Sequence, residues 1–307
     1  SLDYFDSRSK DLIMPVTISS VYGTDCMYGN LGEVSNKGIE FGAQLALIQN
    51  RDFKWYVGGT ISTNKNEVKS LGGENSMILS MSDGSAVISE VGQPLYSFYG
   101  YQTDGVFATD DAVVAAGKDG QALTNAIGVA FAAGDMRFVD QNGDGKIDKE
   151  DRVNLGNALP DFYGTFYTNF QYKGLAVSAV FGYSKGNKMY NAVRRTMESM
   201  SDFSNQLTSV TRRWMYEGQI TDIPRAVYGD PMENSRFSDR WIEDASYLKL
   251  KELMVSYKFN LFAGTTVFVA AENLFTATKY LGMDPETMYS YDSSMRGFDY
   301  GKIASPR

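Results

Sequence analysis

Histidine is absent from the 307 residues, and cysteine occurs once, at Cys26. The first absence removes Ser-His-Asp triads, imidazole-bound zinc and histidine general bases. The second removes any disulfide within the chain and any thiolate metal cage. No run approaches the roughly 18–20 apolar residues of a membrane helix. Basic residues are in deficit: 29 Lys and Arg face 37 Asp and Glu, a net charge of −8 with no basic stripe, so nucleic acid is excluded as a partner. The opening Ser1-Leu2-Asp3-Tyr4-Phe5-Asp6 lacks the basic and apolar regions of a signal peptide and reads like the inside of a strand. Residues 302–307 supply no closing element, so both ends read as cut from something larger.

What is present is aromatic and glycine-rich: 20 Tyr, 18 Phe and 30 Gly favour pleated strands joined by turns over a helical bundle. Apolar residues alternate along 39–48 (Ile39, Phe41, Ala43, Leu45, Leu47) and again along 53–62 (Phe53, Trp55, Val57, Gly59, Ile61). Hairpins follow at 162–172 with 175–183, and at 247–259 with 265–275. These strands have the length of a tilted membrane-spanning strand, longer than a soluble sheet usually needs. The turns at 49–52, 173–174 and 260–264 are short, whereas 67–93, 108–160 and 185–245 are long and rich in Asp, Asn, Ser and Gly. Short turns on one side and long loops on the other is the pattern of an outer-membrane barrel. A soluble sandwich or solenoid with long insertions has the same local signals. If all short turns share a side, residues 67–160 cross an even number of times; 95–107 is a clear strand-like run there and 77–91 a weaker one.

The sharpest motif is Asp140-Gln141-Asn142-Gly143-Asp144-Gly145-Lys146-Ile147-Asp148-Lys149-Glu150-Asp151. It fits the twelve-residue calcium loop, with oxygen ligands at alternate positions, glycine at the sixth and a branched apolar residue at the eighth. The expected ligands are the side chains of Asp140, Asn142, Asp144 and Asp148, the Lys146 carbonyl, and Asp151 where a bidentate Glu usually stands. An Asx-rich turn without metal is the alternative, and the strand-like flanks exclude an EF-hand protein. Arg194-Arg195 and Arg212-Arg213-Trp214 suit an anion or a sugar ring, though solvated loop charges explain them as well. Tyr99, Tyr101, Tyr163 and Tyr167 read as an interfacial girdle more readily than as a glycan path. The acidic pairs Asp110-Asp111 and Glu243-Asp244 are expected by chance in so acidic a chain. There is no nucleotide loop and no nucleophile–base arrangement, which argues against an enzyme.

Several segments together resemble the SusC/RagA-like TonB-dependent outer-membrane transporters of Bacteroidetes. They are Asn36-Lys37-Gly38-Ile39-Glu40, then Trp55 and Asn64-Lys65-Asn66, then Gly134-Asp135 through Asp151 with Gly156-Asn157 and Pro160. Arg213-Trp214, Pro224 and Glu243-Asp244-Ala245-Ser246-Tyr247-Leu248-Lys249-Leu250 continue in order. Asn273-Leu274-Phe275-Thr276, Thr278-Lys279-Tyr280, Gly282, Asp284-Pro285-Glu286 and Ser305-Pro306-Arg307 complete the series. The resemblance implies an all-β fold, a partial transmembrane antiparallel β-barrel with long extracellular loops. Residues 1–307 would be the C-terminal part of a barrel of about 22 strands, without its plug, early strands and last strand. It further implies TonB-driven uptake of oligosaccharide or peptide across the outer membrane, a SusD-like surface lipoprotein as lid, and TonB contact through the plug. Within the chain, 185–245 with Tyr190, Trp214 and Tyr216 suits the docking surface for that lid. The rival is a soluble surface protein that binds calcium and adheres to glycans. The two differ in where Ile39, Phe41, Leu45, Trp55, Val57, Val177 and Phe181 point: outward to lipid, or against a second sheet.

Overall fold

A computed structural model describes residues 1–17, 21, 26–259 and 264–301. The chain begins with two long strands, β1 (Leu2–Thr17) and β2 (Cys26–Gln49), then β3 (Phe53–Ser62) and β4 (Lys65–Leu71). An excursion follows through β5 (Ser76–Ser80), β6 (Ala86–Glu90), β7 (Ser97–Tyr101), β8 (Thr103–Val106), α1 (Asp110–Ala116), β9 (Thr124–Asn125), β10 (Met136–Phe138), β11 (Lys146–Ile147) and β12 (Arg152–Gly156). The chain returns as β13 (Phe162–Tyr172) and β14 (Leu175–Lys185), then leaves through β15 (Lys188–Asn191), α2 (Ala192–Glu198) and β16 (Ile242–Asp244). It ends with β17 (Tyr247–Lys258), β18 (Thr266–Thr278) and β19 (Phe298–Asp299).

The long strands form one open antiparallel sheet in the order β1-β2-β3-β13-β14-β17-β18, with β4 beside the first half of β2. The expected hairpins are all present, except that residues 260–263 of the third turn lie outside the described residues. β3 pairs directly with β13, Ser62 opposite Tyr163 and Phe53 opposite Tyr172. Residues 63–161 therefore leave and re-enter at the same end of the sheet, and none of them crosses. The run at 95–107 makes the short β7 and β8 instead, each too brief for the roughly 9–11 residues of a spanning strand. Phe98 and Phe107 in that run are buried away from the sheet.

The register divides the sheet into two faces. On one, Phe41, Ile61, Gly164, Tyr183 and Leu248 lie in a row, and Leu45, Val57, Thr168, Ala179, Leu253 and Ala271 in another. The named side chains are uncharged throughout. Cross-strand contacts knit this face: Phe166 stacks on Phe181 at 4.4 Å, Phe53 meets Phe170 at 5.0 Å, and the Trp55 indole donates to Thr168 Oγ1 at 2.9 Å. The opposite face carries Glu40, Gln44, Thr60, Tyr163, Tyr167, Asn169, Lys249 and Ser256. Glu252 and Glu272 stand directly opposite each other on it, a pairing that only a wet surface tolerates. Tyr167 lies across this face over Gly58, where an added Cβ would sit 2.4 Å from the phenol oxygen.

This arrangement decides between the two architectures. A sandwich requires the apolar rows to be covered, yet Leu45 is 60% and Val269 72% exposed. The apolar face is the outside of a barrel wall, and the polar face its lumen. The four tyrosines do not form a girdle on the apolar face. Tyr163 and Tyr167 face the lumen, while Tyr99 and Tyr101 lie in β7, under Arg152 and Arg236 respectively.

The excursions are not loose loops. They fold into a cap at one end of the wall, and almost all of the fully buried apolar side chains belong to it. One core gathers Val87, Phe98, Leu155, Tyr190, Phe237, Trp241 and Phe298 from segments far apart in sequence. A second gathers Phe107, Val113, Leu123, Phe131, Met136, Phe138 and Ile147 around α1. The wall contributes little to either, because its apolar side chains face lipid. In the intact protein, Val57→Arg should cost about 2–4 kcal/mol of barrel stability, because the cation would sit at mid-membrane depth. Gln44→Arg, on the lumen face, should cost much less. Heat-modifiable gel mobility of the protein from membrane fractions checks the contrast.

Candidate functional site

The cap is built from residues that the sequence separates by a hundred positions or more, and buried polar pairs fix it. Asp135 is fully buried and accepts two hydrogen bonds from Arg225, Nε at 2.8 Å and Nη2 at 3.0 Å, and one from Asn234 Nδ2 at 3.1 Å. That clip ties the 185–245 excursion to the second core. In the first core, Glu198 pairs with Arg194 at 3.3 Å and Arg240 at 3.0 Å, and Glu243 takes Arg194 at 3.0 Å. Both guanidinium groups lie over the Trp241 ring, at 5.5 Å and 4.5 Å. Burial pushes the Glu198 carboxyl up, but its hydrogen bond from Ser209 and the two arginines outweigh that and hold it low. Burial also pulls the Arg240 guanidinium down.

Several sequence expectations change accordingly. Arg194 and Arg195 are not solvated loop charges: Arg195 donates to the Ser235 carbonyl at 2.7 Å and to the Tyr190 hydroxyl at 2.9 Å. Arg212 alone fits the solvated reading, exposed and 3.8 Å from Asp222. Of the three aromatics assigned to docking, Tyr190 is buried in the first core, and Trp214 packs against Gly134 with its indole N–H directed to the Ala108 carbonyl. Tyr216 is exposed, as a docking residue must be. Glu243 is committed to Arg194 and Asn191, so the Glu243-Asp244 pair is structural. The side chain of Cys26 lies outside the described residues.

The 140–151 loop folds as a tight series of Asx turns. Asp140 Oδ1 accepts from Gly143 N at 2.7 Å, and its Oδ2 from Gly145 N at 2.7 Å. Asn142 accepts from Asp144 N at 3.0 Å, Asp144 from Lys146 N at 2.8 Å, and Asp148 from Glu150 N at 2.8 Å. Gly145 adopts φ +85°, the left-handed geometry that the sixth position of such a loop demands. Ile147 is buried in the second core, and Lys146-Ile147 pair in parallel with Thr124-Asn125. Asp151 closes the loop: fully buried, it accepts from Gln141 N at 2.9 Å and Asp148 N at 2.8 Å, and burial raises its pKa. The donor set is all oxygen, as a hard cation requires. Among the described residues, no three Cys, Asp or Glu side chains converge closely enough to hold a metal ion. A six- to eight-oxygen shell would need these carboxylates to turn further inward than their present amide hydrogen bonds place them.

A strap joins cap and wall. After β18 the chain runs through Asp284 and Glu286, which grip Lys249 of β17 at 2.9 Å and 2.7 Å. Glu286 also receives Tyr247 Oη at 2.7 Å and the Lys251 ammonium. The strap then inserts Phe298 into the first core, where β19 pairs in parallel with β15. The sequence offered no sign of this clamp beyond the acidic pair flanking Pro285.

No family model matches the chain. TonB-dependent receptor P3 of Formosa agariphila is 29% identical, over 100% of this chain and 31% of that protein. SusC, a TonB-dependent receptor of Bacteroides thetaiotaomicron, is 26% identical over 95% of this chain and 28% of its own length. The homologues are TonB-dependent receptors. The fold agrees: a structure of the RagAB peptide transporter matches 97% of this chain and 31% of its own at TM-score 0.74 and 24% identity. The RagAB peptide importer in its closed-closed state matches 92% of this chain at TM-score 0.70 and 25% identity. The chain spans about 31% of the length of the P3 receptor, so it corresponds to part of such a receptor, and its open sheet to part of the barrel.

The strap carries a pH signature. Burial alone would raise the Glu286 carboxyl, but hydrogen bonds from Lys249, Lys251 and Tyr247 hold it down at about 2. A depressed carboxylate stabilises above its unfolded pKa of about 4.3 and loses that contribution as pH falls through the folded value. Amide protection of residues 280–299 in the intact protein, with the intrinsic pH dependence of exchange divided out, should therefore be unchanged from pH 7 to pH 5. It should fall as pH drops from about 4 toward 2, and Glu286→Gln should show the lower protection already at neutral pH.

Proposed function

We propose that this chain forms part of the barrel wall and the outer cap of an outer-membrane TonB-dependent importer that takes up oligosaccharide or peptide. The observation that carries the reading is the two-faced sheet, apolar on one side across β2, β3, β13, β14, β17 and β18 and polar on the other, with strands of spanning length. The relatives' names support TonB dependence. The cap occupies the long-loop end, which in outer-membrane barrels is the extracellular end. A SusD-like lipoprotein would seat there as a lid, on exposed cap residues such as Tyr216 rather than on buried Tyr190. TonB would act through the plug that full-length members of the family carry, so no residue here is assigned to energy coupling. The protein is a transporter component and not an enzyme. Affinity purification of the full-length receptor in mild detergent should bring down one surface lipoprotein in near-equal amount. Receptor that arrives alone overturns the lid assignment, and solute uptake indifferent to loss of TonB overturns the importer reading.

The 140–151 loop is proposed as a structural calcium site held by Asp140, Asn142, Asp144, the Lys146 carbonyl, Asp148 and Asp151. A divalent cation would neutralise carboxylates that otherwise repel one another within twelve residues. An affinity on the order of 10⁻⁴–10⁻³ M would suffice outside the cell. Millimolar calcium should slow amide exchange across 138–152 in the receptor, and Asp140→Ala with Asp144→Ala should abolish that protection while leaving the barrel folded. Exchange that ignores calcium in the parent protein sinks the site.

A further inference from the structure

The short-turn end of the wall has a charge opposite to that of the chain as a whole. Residues 49–54, 171–175 and 256–266 hold four cations, Arg51, Lys54, Lys173 and Lys258, against the single acid Asp52. That end is therefore positive in a chain whose net charge is −8. Among the described residues, no carboxylate stands within ion-pair distance of any of the four. Arg51, Lys173 and Lys258 are exposed. Backbone bonds lace the turns into one edge: Lys173 N donates to the Asp52 carbonyl at 2.8 Å, and Lys258 N to the Gly174 carbonyl at 2.8 Å.

Just inside this rim the apolar face carries a belt of aromatic rings. Phe53 lies 5.0 Å from Phe170 and 6.4 Å from Tyr172, and Tyr257 lies 4.8 Å from Phe259. Tyr172, Tyr257 and Phe259 are all exposed. The Lys173 ammonium sits 5.3 Å from the centre of the Tyr172 ring, at the boundary between belt and rim. Aromatic rings at the edge of a barrel wall settle at the level of the lipid headgroups, so cations just beyond them stand where the phosphates are.

We propose that this rim binds the headgroups of anionic phospholipids in the periplasmic leaflet. Arg51 and Lys173 meet the phosphates, and Lys54 and Lys258 raise the positive potential along the same edge. The inference rests on reading the sheet as a barrel wall, whose short turns face the periplasm. A phospholipid uses both features at once, its acyl chains covering the rings and its phosphate meeting the cations. A soluble anion would leave the aromatic belt without a role. An acidic protein could reach the belt only by displacing lipid from Tyr172 and Tyr257. Zwitterionic lipid offers the same acyl contact without net charge, so charge is what the rim selects.

The test is native mass spectrometry of the intact protein in mild detergent, supplied with equal amounts of palmitoyl-oleoyl phosphatidylglycerol and phosphatidylcholine. Phosphatidylglycerol should be retained in preference. Arg51→Gln with Lys173→Gln should reduce that preference about tenfold or more. Arg51→Lys with Lys173→Arg keeps the charge and should keep the preference, which separates loss of charge from damage to the turns. Arg212→Gln with Lys149→Gln removes the same charge from the exposed cap and should change nothing. The proposal falls if the two lipids are retained equally, if the Arg51→Gln, Lys173→Gln protein keeps the parent's preference, or if the cap variant loses it to the same extent. Each of these results leaves the barrel-wall reading standing. A protein that retains neither lipid and stays out of vesicles made from the two overturns both.

Discussion

The pairing of β3 with β13 is the constraint on which the rest of the molecule depends. Ten residues of each strand exchange backbone hydrogen bonds across a gap of about a hundred positions in sequence. In hydrocarbon, an unpaired N–H or C=O costs several kcal/mol, so a spanning strand must find a partner along its whole length. Once β3 and β13 satisfy each other, the residues between them have no place in the wall. They are expelled to one end and must bury their own apolar groups there. Continuity of the outer face follows from the same register. Val57 lies opposite Thr168, and Ala179 and Leu253 extend that row. A one-residue slip at β3 would turn Lys54 and Tyr56 toward lipid.

Two kinds of stability therefore meet in one chain. The wall relies on lipid to cover its apolar side and has no packed interior of its own. The cap packs around two apolar cores and buried ion pairs of its own. Charges deep in the first core are balanced, with Arg194 and Arg240 against Glu198 and Glu243. Such pairs contribute little net stability compared with an apolar substitute, but removing one partner strands the other. Their value lies in orientation: guanidinium planes resting on Trp241 accept few alternative arrangements.

The wall was legible because its signal is local. Alternation with a period of two, and turns as short as Lys173-Gly174, are written within a dozen residues, so all three hairpins and the shared apolar face of Leu45, Val57 and Phe181 followed from the sequence, but not whether that face meets lipid or a second sheet. The cap was not legible, because its order is made by contacts between remote segments. Tyr190, Phe237 and Trp241 share one core yet stand in the 185–245 stretch, whose composition reads as loop. Arg194 and Arg195 look solvated in a polar stretch, and only the fold shows that Glu198, Glu243 and Asp83 surround them. The 95–107 run misled for a related reason. Strands β7 and β8 alternate like spanning strands but bury Phe98 and Phe107 in the cap. The twelve-residue loop lies between these cases, since its turns follow from sequence while its relation to a cation depends on where the carboxylates converge.

The strap gives the two parts a mechanical connection. Lys249 projects from the lumen face of β17, near the cap end of the wall, and is held by Asp284 and Glu286. From there fewer than fifteen residues lead to Phe298, fully buried in the first core, beside the parallel pairing of β15 with β19. Displacing the cap relative to the wall must either stretch this segment or break a carboxylate–ammonium cluster centred on buried Lys249. Breaking it would leave Lys249, among the few buried cations of the wall, without its counter-charges. The cap is thus tied to the wall at β17 as well as through the chain connections at β14 and β15. Contacts within the chain thus fix the cap against that end of the wall.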